Sequence, residues 1–405
     1  MPGAADPLTI GLDVGGSSTR AVVISLTGER LGSGVAGGGN PVSHGIEPAV
    51  AQLRVALRAA LAGLDPERVR AGVIGLAGAG RLNADPAARA AYDHAWRDVG
   101  LRCRYDVHGD ALVGYASATA APDGTILVAG TGAIAAQVHQ ARLDRVADGH
   151  GWLLGDAGSG FWLGREAVRH TLAELDAFPA SRPVPHRPPG VLAGLVLREL
   201  LGSDRVTTDE APSLDLRQFD PRQTVRRVIH TVTRRPPVEL ARLAPLVFQA
   251  AHAGDPTARA LVSSAAALLV ESVARVRPEG AVTPIVLGGG LLTPLPDPVA
   301  APAANVPARD RSAGATPPTD AAARSPAARS PAARSPGAAP PTDVPPGGGP
   351  LARVVGQLLA RRWPAAALLA AEAGSAGAIG AAWLAARTLP EVTDPVALHG
   401  RLLQH

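Results

Sequence analysis

The chain has 405 residues, more than one ordinary core, and its 46% apolar content is enough to bury two. Its 39 basic residues exceed the 35 acidic ones by four, and no basic run is interleaved with aromatics, so nucleic acid is not expected as a partner. Every basic residue is arginine: the absence of lysine counts against a Walker A ATPase, a protein kinase and a pyridoxal enzyme, and the single Cys103 excludes intramolecular disulfides and cysteine-rich metal centres within one chain. The opening "MPGAADP" lacks a basic region followed by an apolar run, which argues against secretion and sets the cytoplasm as the expected location.

Residues 8–35 predict a strand, a glycine turn, a second strand, a Thr27-Gly28 turn and a third strand. Val50 to Leu64 is apolar at helical spacing, and "AGVIGLAGAG" at 71–80 is a strand ending in glycines, which makes the pattern α/β. "YDVHGDALVGY" ends a strand and places Asp110 at the start of a helix. "DGTILVAGTGAIAAQV" at 123–138 then repeats strand, glycine tip, strand, with Gly130, Thr131 and Gly132 at the turn. A helix-rich middle runs from about 160 to 278, broken by the Pro- and Arg-rich "FPASRPVPHRPPG", and "TPIVLGGGLL" adds a strand running into glycines. From 293 to 350 the pattern collapses into Pro, Ala, Ser, Gly and Arg, with "RSPAA" units beginning at Arg324 and Arg329, and predicts a disordered insert. A helical pattern resumes near Leu351. The apolar stretch 364–386 is mostly Ala and Gly and carries Glu372, so it predicts one buried, closely packed helix and no membrane span.

The chemistry gathers at the glycine tips. In "TIGLDVGGSSTRAVVIS" the glycines are followed by β-branched residues, so they sit at a hairpin tip and do not open a helix as in a dinucleotide-binding turn. Such a tip can lay backbone N–H groups and the hydroxyls of Ser17, Ser18 and Thr19 around a phosphate, because glycine has no Cβ to hold the ligand away. Asp13 precedes the tip, and a carboxylate there repels a polyphosphate unless a cation lies between them. Its expected task is to hold hydrated Mg²⁺. Taken alone, the tip is also consistent with an ordinary tight turn, and Asp110 with a helix N-cap. The second tip, with Asp110 between the two, favours a polyphosphate gripped from both sides.

The order of "LDVGGSSTR", "GGGNP", "GLAGAG", "GDA", "VAGTGAIA", "GHGWLLGDAGSGFWLG", "VLGGGLL" and "GSAGAIGAAWLA" resembles the N-acetylglucosamine kinase and BadF/BadG/BcrA/BcrD ATPase group of the sugar kinase, Hsp70 and actin superfamily. The resemblance covers nearly the whole chain outside the insert. It implies an α/β fold of two actin-like, ribonuclease H-like ATPase domains around a central cleft. Their expected bounds are 1–120 for the N-terminal domain, and 121–292 with 351–405 for the C-terminal one, the last helix packing on the N-terminal domain. It further implies ATP and Mg²⁺ as cofactors, and γ-phosphoryl transfer to the 6-hydroxyl of an amino sugar. By match to the family's motifs, Asp110 is the catalytic base. Asp13, Gly15, Gly16, Ser17 and Thr19 form the first phosphate loop, with Asp13 holding the metal through water. Thr131 and Gly132 belong to the second loop, and Gly288, Gly289 and Gly290 lie against adenosine. Asn40, Asp110 and Asp156 bind the sugar. The expected partners are the amino sugar and ATP, with no nucleic acid or membrane, and a homodimer is compatible.

Three positions depart from the family's pattern: Gly109 stands before the base in place of Asn or His, Ala133 in place of Ser, and Ala157 in place of Glu. The alternatives that stay open are a glucosamine or N-acetylmuramic acid kinase, and a catalytically weak sensor of ATP or sugar. Cluster-bearing activator ATPases and the zinc-containing repressor, ORF and kinase group are disfavoured by the lone cysteine. Because the composition of 293–350 cannot supply a core, deletion of residues 296–346 is expected to leave a single cooperative thermal transition. Loss of cooperative unfolding by circular dichroism in that deletion would show that the insert packs on the rest.

Overall fold

The computed structural model describes residues 6–178, 190–202, 206–207, 213–214, 220–293, 349–371 and 374–404. The predicted insert, from 294 to 348, and most of the predicted break, 179–189, lie outside the described residues.

The first sheet is built from β1 (Leu8–Val14), β2 (Ser18–Ser25), β3 (Arg30–Gly37), β4 (Val69–Leu76) and β5 (Tyr105–Gly109), in the order β3-β2-β1-β4-β5. β1 to β3 form an antiparallel meander, and β4 and β5 extend it in parallel from β1. The second sheet has the order β12-β11-β6-β7-β8, from β6 (Gly124–Ala129), β7 (Ala133–His139), β8 (Arg142–Asp148), β11 (Ile285–Gly288) and β12 (Leu368–Ala370). Its β6 to β8 are again an antiparallel meander, and β11 and β12 add in parallel. The two sheets therefore share one plan, and the β1–β2 and β6–β7 tips occupy equivalent places in it. Between β8 and β11 in sequence, Val206–Thr207 (β9) and Ser213–Leu214 (β10) pair as a short ribbon.

Helices cover the sheets according to their apolar spacing. On the first sheet, α1 (Pro41–His44) leads into α2 (Ile46–Ala60), whose Ala49, Val50, Leu53, Ala56, Leu57 and Ala60 recur every three or four residues and are buried. α2 lies close enough to β3 that a Cβ at Gly32 or Gly34 would coincide with its backbone carbonyls. α3 (Ala79–Ala84) and α4 (Pro86–Asp98) follow β4, the latter capped by Asp85, whose Oδ1 accepts from Ala87 and Ala88 N–H. The second sheet carries α6 (Gly160–Asp176), α7 (Val191–Leu201), α8 (Pro221–Thr233), α9 (Ala244–His252), α10 (Pro256–Val276) and α11 (Pro350–Arg362). Among the described residues α10 alone is long and apolar enough to cross a membrane; its Val262, Ala265, Ala266, Leu269 and Val273 are buried in the core beneath this sheet.

A third core lies between the sheets. It is formed by α5 (Asp110–Ala116), α12 (Ala376–Ala386) and α13 (Pro395–Leu402), with Val22, Ile24 and Val73 from one sheet and Ile126, Ala136, Val138 and Val286 from the other. The stretch 364–386 is thus not one helix. Leu368–Ala370 extends along β11 as its parallel neighbour, Gly374 turns the chain at φ +85, and only Ala376–Ala386 is helical. Pairing at the edge of the sheet overrides the alanines' helical preference. α12 is apolar on every side and buried on every side, as such a pattern requires.

α12 meets β1 and α5 through glycines. A Cβ on Gly11 would coincide with backbone atoms of Ala378 and Ala382, and one on Gly380 with the Val113 carbonyl of α5. Thr9, fully buried on β1, donates from Oγ1 to Ala382 O at 3.1 Å. Gly11→Ala is therefore expected to force β1 and α12 apart and to cost roughly 3 kcal/mol. A lowered thermal midpoint with retained cooperativity checks it; an unchanged midpoint would mean the two backbones do not approach as described.

Candidate active site

The first tip interrupts a hairpin whose register pairs Asp13 with Arg20 and Val14 with Thr19. Gly15 N–H donates to Ser18 O at 2.9 Å, and Gly15 O accepts from Gly39 and Asn40 N–H at 3.1 and 3.2 Å, so the Gly38-Gly39-Asn40 loop is fastened to the tip. The His44 ring Nε2 lies 2.7 Å from Gly16 O. With these carbonyls engaged, the N–H groups of Gly16 and Ser17 take no hydrogen bond among the described residues. The three hydroxyls do not all face outward as the sequence suggests. Ser17 is exposed; Ser18 Oγ accepts from the Arg20 guanidinium; Thr19 is fully buried behind the tip, its Oγ1 against Gly39 and without a hydrogen bond among the described residues.

Asp13, the penultimate residue of β1, lies beside the N-terminus of α12, where a Cβ on Gly377 would lie 2.5 Å from its Oδ2. Asp110 is the first residue of α5, and its Oδ1 accepts from Ala111 N–H at 2.9 Å. The positive ends of two helices are thus directed at two neighbouring carboxylates. Burial still dominates. It pushes Asp13 up to about 6, with help from the Asp110 charge and against the pull of Arg20, and it raises Asp110 above the usual carboxylate range. Neither Asp13 nor Asp110, the proposed base, is therefore an ordinary carboxyl of unperturbed pKa.

The second tip is built differently. Gly130 N–H donates to Gly132 O, while Gly130 O and Thr131 O accept from Gly160 and Phe161 N–H at 2.8 and 3.1 Å in the first turn of α6, which Ser159 caps. Gly289, at φ +85, abuts the Ala129 carbonyl, and Leu291 N–H donates to Ala129 O, which places the Gly288–Gly290 segment against this tip. Asp156 supports it from behind: its Oδ1 accepts from Ala133 N–H at 3.0 Å, so a Cβ on Gly132 would meet the carboxylate. Burial chiefly, with Asp148 nearby, raises the Asp156 pKa. The structure thus forms two groups, one of Asp13, Gly15, Gly16, Ser17, Asn40 and Asp110, and one of Thr131, Gly132, Asp156 and Gly288 to Gly290. α5 packs on β6, β7 and β11 and links them.

Sequence reasoning missed three supports. Asp148, buried at φ +65, accepts from Gly149 and Asp156 N–H on Oδ1 and from Ala157 N–H on Oδ2, and so holds the whole 149–157 turn. Its signal is a carboxylate amid glycines in "VADGHG". Arg20 could have been read from the hairpin's alternation, facing Asp13 across two strands. Gly377 has no local signal, since its partner lies 364 residues away.

These residues fit a polyphosphate. The N–H groups of Thr131 and Gly132, like those of Gly16 and Ser17, take no hydrogen bond among the described residues. A Cβ on Gly15, Gly130 or Gly290 would point into open space, with nothing nearer than 3.6 Å, so the glycines line a cradle that other residues would fill. Among the described residues Asp13 accepts no hydrogen bond, and its pKa is raised, which suits a carboxylate that faces a hydrated cation.

Because the folded pKa of Asp13 exceeds its unfolded value of 3.8, the native state binds the extra proton between about pH 4 and 6, and stability falls as pH rises through that window. Asp13→Asn is expected to remove this dependence and to stabilise the ligand-free protein at pH 7 by about 1–2 kcal/mol. Thermal midpoints at pH 4.5 and 7 check it; a variant less stable than wild type at pH 7 would show that the charge is not penalised.

The sequence profile described as the BadF/BadG/BcrA/BcrD ATPase family matches residues 10–296. The N-acetyl-D-glucosamine kinase of Dictyostelium discoideum is 25% identical over 274 residues, covering 65% of this chain and 77% of that protein. The crystal structure of a proposed N-acetylglucosamine kinase from Chromobacterium violaceum has a TM-score of 0.54 at 25% identity, over 70% of this chain and 88% of its own. A second such protein, from Porphyromonas gingivalis, has a TM-score of 0.49 at 22% identity, over 69% and 84%. With two mixed sheets of common plan, glycine tips on both and a profile that spans most of its length, the chain belongs to the BadF/BadG/BcrA/BcrD ATPase family.

Proposed function

We propose that this protein is an ATP-dependent kinase that transfers the γ-phosphoryl group to the 6-hydroxyl of an amino sugar, N-acetylglucosamine first among them. The observation that carries the reading is the convergence of Asp13 and Asp110 beside a tip with free N–H groups. The named activities of the two 25%-identical relatives support the sugar class.

In this reading the N–H groups of Gly16, Ser17, Thr131 and Gly132 bind phosphate oxygens, and Gly288 to Gly290 leave room for adenosine. Asn40 and Asp156 bind sugar hydroxyls. Asn40 is well placed for this, because its N–H bond to Gly15 O ties the sugar loop to the phosphate tip. Asp110 accepts the proton of the attacking hydroxyl. Its bond to Ala111 N–H orients the carboxylate, and its burial makes it a stronger proton acceptor than an exposed carboxyl. Mg²⁺, held by Asp13 through water, would supply charge neutralisation at the phosphates. Lysine is dispensable where backbone dipoles take the phosphates. We further propose residues 1–120 and 121–292 with 351–405 as the two domains, closing on the cleft and excluding water.

The test is a coupled ADP-release assay with Mg-ATP against N-acetylglucosamine, glucosamine, N-acetylmannosamine, N-acetylmuramic acid and glucose, with mass detection of products. Wild type is expected to give sugar-dependent ADP and a sugar phosphate. Asp110→Asn is expected to lower turnover by about 10³-fold while calorimetric sugar affinity stays within about threefold. Near-normal turnover in that variant would remove Asp110 from the chemistry. Silence across the panel, with ATP still bound, would overturn the kinase reading in favour of a binding protein.

A further inference from the structure

The N–H groups of Gly16, Ser17, Thr131 and Gly132, which take no hydrogen bond among the described residues, each belong to a peptide whose carbonyl is held from behind. In a trans peptide the C=O and N–H point in opposite directions, so a donor fixed on the carbonyl aims the N–H away from itself. At the second tip Thr131 N–H is aimed through Gly130 O, which accepts from Gly160 N–H, and Gly132 N–H through Thr131 O, which accepts from Phe161 N–H. At the first tip Gly16 N–H is aimed through Gly15 O, which accepts from Gly39 and Asn40 N–H. Main-chain donors thus anchor three of the four peptides. The fourth, which carries Ser17 N–H, is anchored by a side chain: His44 Nε2 lies 2.7 Å from Gly16 O, and a carbonyl there requires the ring nitrogen to donate.

That peptide also needs an anchor most, because the conformational freedom of Gly16 would otherwise let its plane turn over. The imidazole is held for the task. His44 N–H donates to Asn40 O at 3.1 Å and closes the single turn of α1, so the ring is built on the same loop that grips Gly15 O. The hydroxyl of Tyr92, fully buried on α4, donates to Gly39 O at 3.2 Å and fixes that loop from its other side. Gly38 leaves the room: a Cβ there would coincide with Gly16 O and lie 2.6 Å from His44 Nε2. His44 itself is exposed and belongs to none of the three cores.

We infer that His44 is a positioning residue of the first phosphate tip: by donating from Nε2 to Gly16 O it turns Ser17 N–H toward the bound anion. The inference rests on the phosphate role given to this tip in the kinase reading, and nucleotide binding tests it apart from turnover.

His44→Ala and His44→Gln are compared with wild type, since the glutamine amide can place an N–H where Nε2 stands. Calorimetric Kd is measured for the magnesium complex of a non-hydrolysable ATP analogue and for N-acetylglucosamine, and kcat and KM for any sugar that turns over. His44→Ala is expected to weaken the analogue about fivefold and to lower kcat about tenfold, the sugar's Kd staying within about twofold. His44→Gln is expected to stay within about twofold of wild type in all of these, and both variants to keep their thermal midpoint within about 2 °C. Unchanged nucleotide affinity in His44→Ala, equal losses in the two variants, equal weakening of nucleotide and sugar, or a wild type that does not bind the analogue would overturn the inference. If no sugar is phosphorylated, the kinase reading falls and calorimetry decides His44 separately. Nucleotide affinity lost in His44→Ala and restored in His44→Gln supports its positioning role, and equal affinity in all three proteins overturns it.

Discussion

The contact on which the rest of the structure depends is the one between β1 and α12, in which two backbones approach with only hydrogen between them. Gly11 on the strand and Gly377 on the helix remove the side chains that would separate the two elements, and Gly380 does the same between the helix and α5. Small residues therefore set a distance, and the distance sets the site. Moving α12 outward by the thickness of a methyl group would carry its N-terminus away from Asp13 and loosen its hold on α5, which carries Asp110. The alanines of α12 contribute little apolar area individually, but they permit packing at a spacing that leucines could not reach.

Around that contact the protein places two carboxylates where neither is comfortable. Helix termini favour their charges, yet burial outweighs that help at both, with the Asp110 charge adding to it at Asp13, and both pKa values rise. An arrangement that costs folding energy when empty gains from whatever cation and proton donor arrive. The tips follow the same logic through backbone groups: their carbonyls are engaged by neighbouring loops, while four N–H groups are left for an anion. A chain without a single lysine can bind polyphosphate in this way because amide dipoles, once fixed, need no flexible cation to follow the ligand.

Much of this was legible in the sequence, for identifiable reasons. Both glycine tips were visible because glycines interrupted β-branched runs that resumed afterwards, and Asp110 because a strand ended just before a helical spacing began. The α/β class followed from strands alternating with helical spacing, and the two-domain actin-like fold from the resemblance of the ordered motifs. What stayed hidden depends on long-range partners. The strand at Leu368–Ala370 was concealed in an alanine-rich stretch, since only β11 gives it a reason to extend. Thr19 looked like a phosphate ligand because hairpin alternation does not reveal that the Gly39 loop closes over it. Asp148 drew no reading because its three N–H donors belong to a turn that had no predicted shape.

The lacing of α13 onto the first sheet has a consequence in time. Arg30 donates to Leu402 O, Arg401 to Thr27 O, and the buried His399 ring lies 2.7 Å from Ala116 O, so the segment after α12 is tied to strands and a helix made at the very start of synthesis. A nascent chain carrying β1 to β5 has a sheet with one face unclothed until more than 250 further residues have left the ribosome. The first sheet is begun first and completed last, and its contacts are among the most distant in sequence that the molecule possesses. Phosphate tip, base and metal-facing carboxylate thus acquire their final geometry together, at the end of translation. A partly made chain has the residues of the site without the site.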